Sequence, residues 1–97
     1  MKTADECENM YEIREAIDSI DESIVKLIAS RSDYVHAAVK FKTSENSVKD
    51  PDRVKKVIET KKALASEYGV SPELIGNIYS LMIDFFVSEE MKEWKRQ

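Results

Sequence analysis

The sequence predicts an all-α protein, on three observations. Apolar residues recur every seven positions in two interleaved rows along the N-terminal part of the chain. Met10, Ile17, Ile24, Arg31 and Ala38 form one row, and Ile13, Ile20, Leu27, Tyr34 and Phe41 form the other, offset by three. Such a pair of rows is the seam of a long helix that packs against other helices. Second, the chain holds only two glycines and two prolines, so turns are few and elements long. Third, no stretch alternates polar and apolar residues over a useful length, which leaves no strand. Arg31 is the only charge in either row. Either its head snorkels to solvent along an apolar stem, or something buried there requires a cation.

Each helix carries its own start and stop signals. Thr3 with Glu6 and Asn9 with Glu12 are both capping boxes. A short first turn is expected to merge into a long helix over about residues 9–41. The polar stretch "KTSENSVKD" has no periodicity and reads as a loop over roughly 42–49. "DPDRV" then opens a second helix, with Asp50 as cap, Pro51 in the first helical position and Asp52 complementing the dipole. Val54, Val57, Ile58, Leu64 and Ala65 form its apolar face, and Gly69 ends it in a left-handed cap. "SPEL" repeats the start signal at Ser71 and Pro72, and a third helix runs to about Trp94.

A first helix of 33 residues would be about 50 Å long, too long for the other two to cover in a compact monomer. Dimerisation is therefore expected from length and pattern alone. Ninety-seven residues make one domain, 1–97. The 35% of charged and 42% of hydrophobic residues match a soluble helical protein. The net charge of −4 argues against nucleic acid as partner. A single cysteine, Cys7, fits a reducing compartment and reads as an inert thiol. The N-terminus has no apolar leader region and no run would span a bilayer, so cytoplasmic residence is the default.

Several polar residues stand on apolar faces. Besides Arg31, Arg14 borders the same seam beside Met10 and Ile17. Glu90 lies on the stripe of the third helix, after Ile83, Phe86 and Val87 and before Trp94. A carboxyl there is costly unless it is paired or keeps its proton. Lys42 follows the long helix, where a lysine also suits the C-terminal dipole. Arg53 sits in a first helical turn, where a cation opposes the dipole. His36 has no ligand-spaced neighbours, so no metal site is expected, and no nucleophile set, phosphate loop or dinucleotide fingerprint is present.

Arg14, Arg31, Lys42 and Arg53 thus form a set of inward cations with one acid, Glu90. In an acidic protein, this set suggests a pocket for a small anion bearing more than one charge, and arginine favours carboxylates because its planar fork binds them bidentately. Arg14 and Arg31 are 17 positions apart (31 − 14), about 25 Å along one helix. They cannot both touch one small molecule within a chain. An antiparallel partner helix would bring the second chain's Arg14 beside the first chain's Arg31. A helical interaction module without chemistry stays open as the other reading of the pattern.

"IREAIDSID" around Arg14, "SRSDYV" with Arg31, "KFKTSE" with Lys42, "DPDRV" with Arg53 and "SEEMKEW" with Glu90 resemble the all-helical chorismate mutase family. The likeness is greatest to its isochorismate pyruvate lyase branch, and it covers nearly the whole chain. The resemblance implies an intertwined homodimer of three-helix chains. Each of two sites would take Arg31, Lys42, Arg53 and Glu90 from one chain and Arg14 from the other. It implies a small dicarboxylate substrate, isochorismate or chorismate, and a pericyclic reaction that needs no nucleophile, metal or cofactor. Arg14 and Arg31 would hold the carboxylates, and Lys42 the ether oxygen and a carboxylate, on a loop that closes over the substrate.

Two residues depart from the family's mutase pattern. Mutases of the family usually carry a glutamate just after the position of Arg53, at the ring hydroxyl of chorismate; here it is Val54, which suits the lyase. Asp50, in contrast, matches a mutase residue that approaches the same hydroxyl. Many bacterial relatives carry glutamine where this chain has Glu90. As a carboxylate, Glu90 would repel a dianion; as a protonated acid it would donate to the ether oxygen. A raised pKa for Glu90 and activity that falls as pH rises are therefore expected.

Overall fold

The computed structural model describes residues 2–97, and all regular structure among them is helical. Four α-helices follow one another: α1 (Met10–Ala38), α2 (Glu45–Lys49), α3 (Pro51–Glu67) and α4 (Pro72–Arg96). Tighter 3₁₀ turns occupy Ala4–Glu6 and Val39–Phe41. The chain divides into two compact units, Met1–Tyr34 and Val35–Gln97.

The N-terminal unit is mostly α1. The Thr3–Glu6 capping box forms at the 3₁₀ turn, and at α1 the Asn9 half of the second box is in place. Glu6 Oε1 accepts from the Thr3 N–H at 2.9 Å and caps the 3₁₀ turn. Asn9 Oδ1 accepts from the Glu12 N–H at 2.9 Å and starts α1. Lys2 adds a 2.7 Å ion pair with Glu12. Every residue of α1 keeps some of its surface in solvent. Ile17, Ile20 and Ile24 are about half exposed and Leu27 is 68% exposed, so the heptad seam is apolar and uncovered.

The C-terminal unit holds the core: Val39, Val48, Val57, Ala65 and Ile83. The long helix ends three residues sooner than its heptads suggest. Its last turn tightens to 3₁₀ geometry, with Val39 fully buried and the Lys42 N–H bonded to the Val39 carbonyl at 3.0 Å.

The expected loop over 42–49 is partly helical, which corrects that reading. Ser44 Oγ accepts from the Ser47 N–H at 3.1 Å, while Ser47 Oγ accepts from the Ser44 N–H at 2.9 Å. This reciprocal cap starts α2, and Val48, 2% exposed, anchors it in the core. One apolar residue in a polar stretch gives no periodicity, so the pattern does not reveal the helix.

Asp50 ends α2 and caps α3 at once. Its backbone is left-handed (φ 40°), its N–H reaches the Asn46 carbonyl at 2.7 Å, and its carboxylate accepts from the Arg53 N–H at 3.4 Å. The α3–α4 turn follows the sequence signals. Gly69 adopts φ 73°, and the Val70 and Gly69 N–H groups bond the Ala65 and Ser66 carbonyls at 2.8 and 3.2 Å, closing a Schellman motif. Ser71 Oγ then caps α4 from the Leu74 N–H at 3.2 Å. Gly76 brings α4 against the aliphatic stem of Lys62.

Because Val48 alone inserts α2 into the core, Val48→Ala should lower stability by about 1–3 kcal/mol. A urea denaturation midpoint followed by far-UV circular dichroism checks this.

Candidate active site

The two seam arginines sit on one uninterrupted helix. Arg14 and Arg31 both belong to α1, so at 1.5 Å per residue they are about 25 Å apart. A ligand the size of a dicarboxylate cannot bridge them within a chain. Arg14 is exposed and Arg31 half-buried.

The remaining predicted residues lie in the C-terminal unit. Lys42 closes the 3₁₀ turn in extended geometry (φ −83°, ψ 136°). Both of its main-chain polar groups are held. Its N–H is bonded to the Val39 carbonyl, and its own carbonyl accepts from the Trp94 indole N–H at 3.2 Å. Glu90 is buried, 8% exposed, as its place on the apolar stripe led one to expect. It stands four residues before Trp94, about 6 Å along α4, so Lys42 and Glu90 belong to one end of the unit. Asp50 and Arg53 begin α3, with Arg53 exposed and Asp50 serving the cap. The structure thus gives Asp50 a firm local role.

Val54 faces a groove of about 990 Å³ between α3 and α4, whose apolar floor includes Ile58, Ile83, Val87 and Met91. Lysines, among them Lys55 and Lys92, stand along it. Glu59 and Asp84 are its acids. A groove with an apolar floor and cationic edges suits an amphiphilic anion.

Two residues outside the predicted set join this end of the unit. Trp94 is the first, and its one legible signal is an aromatic ring with a polar N–H on a buried stripe, which needs a partner. His36 is the second. Its Nδ1 lies 2.8 Å from Glu93 Oε2, 57 positions away in the chain, a pairing that no local spacing announces. The hydrogen bond to Glu93 raises the His36 pKa above its ordinary value of 6.5; desolvation is the next-largest effect and opposes the shift, and the negative charge of Glu93 adds a smaller upward push. Of the predicted residues only Val54 lines the groove; Lys42, Arg53 and Glu90 lie elsewhere in the C-terminal unit, and Arg14 and Arg31 belong to the N-terminal unit. Chemically, these residues are cations and one buried acid. They can bind and orient an anion and stabilise developing charge.

The chorismate mutase type II family model matches residues 13–91. Over 96 residues, 99% of this chain and 95% of the relative, the sequence is 35% identical to an isochorismate pyruvate lyase of Pseudomonas aeruginosa. It is 31% identical over 78 residues to a chorismate mutase of Methanocaldococcus jannaschii, covering 79% of each. A bifunctional chorismate mutase/prephenate dehydratase of Buchnera aphidicola is 31% identical over 84 residues, which span 22% of that longer protein.

The His36–Glu93 pair predicts a pH dependence of stability. The folded pKa of His36 is raised, so its contribution is complete below about 6.5 and is lost as pH rises through the folded value. The gap in melting temperature between wild type and His36→Gln should therefore close as pH is raised from mildly acidic to alkaline. Thermal melts across that range measure it.

Proposed function

The chain belongs to the chorismate mutase type II family, and from that premise we propose that it is an isochorismate pyruvate lyase. The observation that carries this reading is the likeness to a lyase along almost the full length of both chains. The apolar side chain at position 54 supports it, since mutases of the family usually place a glutamate there for the ring hydroxyl of chorismate. Chorismate mutase is the second reading, supported by the mutase relatives at 31% identity and by Asp50.

In the proposed reaction the ether C–O bond of isochorismate breaks while a ring hydrogen moves to the departing pyruvyl unit, giving salicylate and pyruvate. The step is concerted and needs no nucleophile. What the protein supplies is a reactive conformer and stabilisation of charge growing on the ether oxygen. Arg14 and Arg31 hold the two carboxylates, Lys42 and Glu90 address the ether oxygen, and Arg53 adds positive charge. The burial of Glu90 favours its neutral, hydrogen-bond-donating form.

The working unit is a homodimer with Arg14 supplied in trans. Two facts support it: the 25 Å separation of the arginines and an α1 seam left in solvent. A second copy packed antiparallel covers that seam and brings its Arg14 to the other chain's Arg31.

Three outcomes are expected. Purified protein should form salicylate from isochorismate much faster than prephenate from chorismate, the first followed by fluorescence and the second by acid conversion. Prephenate alone would make it a mutase. Arg31→Ala should lower kcat/KM by about a hundredfold or more while the chain stays helical; a functionless buried cation would instead be neutral or stabilising to remove. Glu90→Gln should abolish the alkaline decline of the wild-type pH–rate profile, and an identical decline in both would refute the neutral-acid role.

Exchange of subunits tests the shared site. Arg14→Ala and Arg31→Ala chains, each inactive alone, should recover about a quarter of wild-type activity when unfolded and refolded together in equal amounts. Half of the dimers are then mixed, and each mixed dimer holds one intact site of two. No recovery would place both arginines in the same chain's site.

A further inference from the structure

Three consecutive residues of α4 reach back to three points on one earlier stretch of chain. Glu93 pairs with His36 at 2.8 Å, the Trp94 indole N–H donates to the Lys42 carbonyl at 3.2 Å, and Lys95 Nζ lies 3.5 Å from Glu45 Oε1. Consecutive helical side chains diverge by about 100°. The stretch 36–45 is therefore tied around the end of α4, and Lys42 lies within it.

The three ties differ in strength. Lys95 and Glu45 are both more than half exposed, and such pairs contribute little. Glu93 and His36 are about two-fifths exposed and depend on pH. Only the Trp94 bond is part-buried and ends on the main chain. Together with the Lys42 N–H bond to Val39, it fixes the peptide groups on both sides of the lysine. A lysine stem is flexible over four carbons, so the direction of its base decides how often the ammonium visits one spot.

We propose that Trp94 is a positioning residue for Lys42, its indole N–H holding the main chain from which that ammonium reaches the reacting ether oxygen. The inference rests on the role given to Lys42 under the proposed function. Its distinct content is that a side chain 52 positions away sets the catalytic power of the lysine without touching substrate. Misplacement by about 1 Å is enough to cost up to a hundredfold in rate.

Trp94→Phe keeps the ring and deletes the donor, so it tests the hydrogen bond in the full chain. With isochorismate, or with chorismate if that is the substrate turned over, kcat should fall about tenfold or more while KM changes little. Amide hydrogen exchange over 42–49 should quicken and that of α3 should not, a readout that needs no activity. In a Lys42→Met background, Trp94→Phe should cost nothing further, since its effect passes through the lysine. Wild-type kcat in Trp94→Phe, unchanged exchange over 42–49, or losses that multiply in the double variant would each overturn the proposal. Undiminished activity of Lys42→Met would instead show that the ether-oxygen role of Lys42 is wrong, and this inference would fall with it.

Discussion

The structure depends on one constraint: a 29-residue helix whose apolar seam finds no cover in its own N-terminal unit. At about 25 cal/mol per Å² of buried apolar surface, a seam of isoleucines and leucines is a large unused stabilisation. The core of the C-terminal unit is made of four small side chains, Val39, Val48, Val57 and Ala65, with Ile83. A chain so built has most of its hydrophobic capacity on its outside. In the proposed dimer that capacity is used between chains, and the same packing unites two arginines that one chain holds about 25 Å apart. Stability and substrate binding then have one origin.

The chemistry is correspondingly spare. The residues singled out are cations and a single buried acid, set against apolar surfaces, and such groups act by where they are held. Precision of placement therefore matters more than reactivity. The C-terminal unit shows how placement is achieved. Lys42 is not on a free loop, because Val39 and Trp94 hold its two main-chain groups and Val48 anchors the helix that follows. Asp50, by capping α3 from a left-handed backbone, fixes where Arg53 and Val54 leave the turn.

Much of this was legible in the sequence because it is local. Asn9 with Glu12, Asp50 with Pro51, Ser71 with Pro72, and Gly69 each decide an element boundary within a few residues, and each does so in the structure. Glu90 was legible as a buried acid because helical period alone puts it between Phe86 and Trp94. The failures share the opposite cause. α2 rests on one valine and a serine pair, a pattern indistinguishable from a polar loop until Val48 is seen in the core. The early tightening at Val39–Phe41 is set by tertiary burial, which the heptads do not encode. The bonds from His36 to Glu93 and from Trp94 to Lys42 join residues more than fifty positions apart, and no spacing rule reaches that far.

In the proposed dimer, the uncovered seam of α1 is one half of an interface without which the chain has no complete site. Sedimentation velocity over a wide dilution series, with helicity and turnover followed in the same samples, tests it most directly. A dimer mass is expected wherever the chain is helical and active, with both properties lost together as the dimer dissociates. A helical monomer that turns over substrate at the full rate would contradict it.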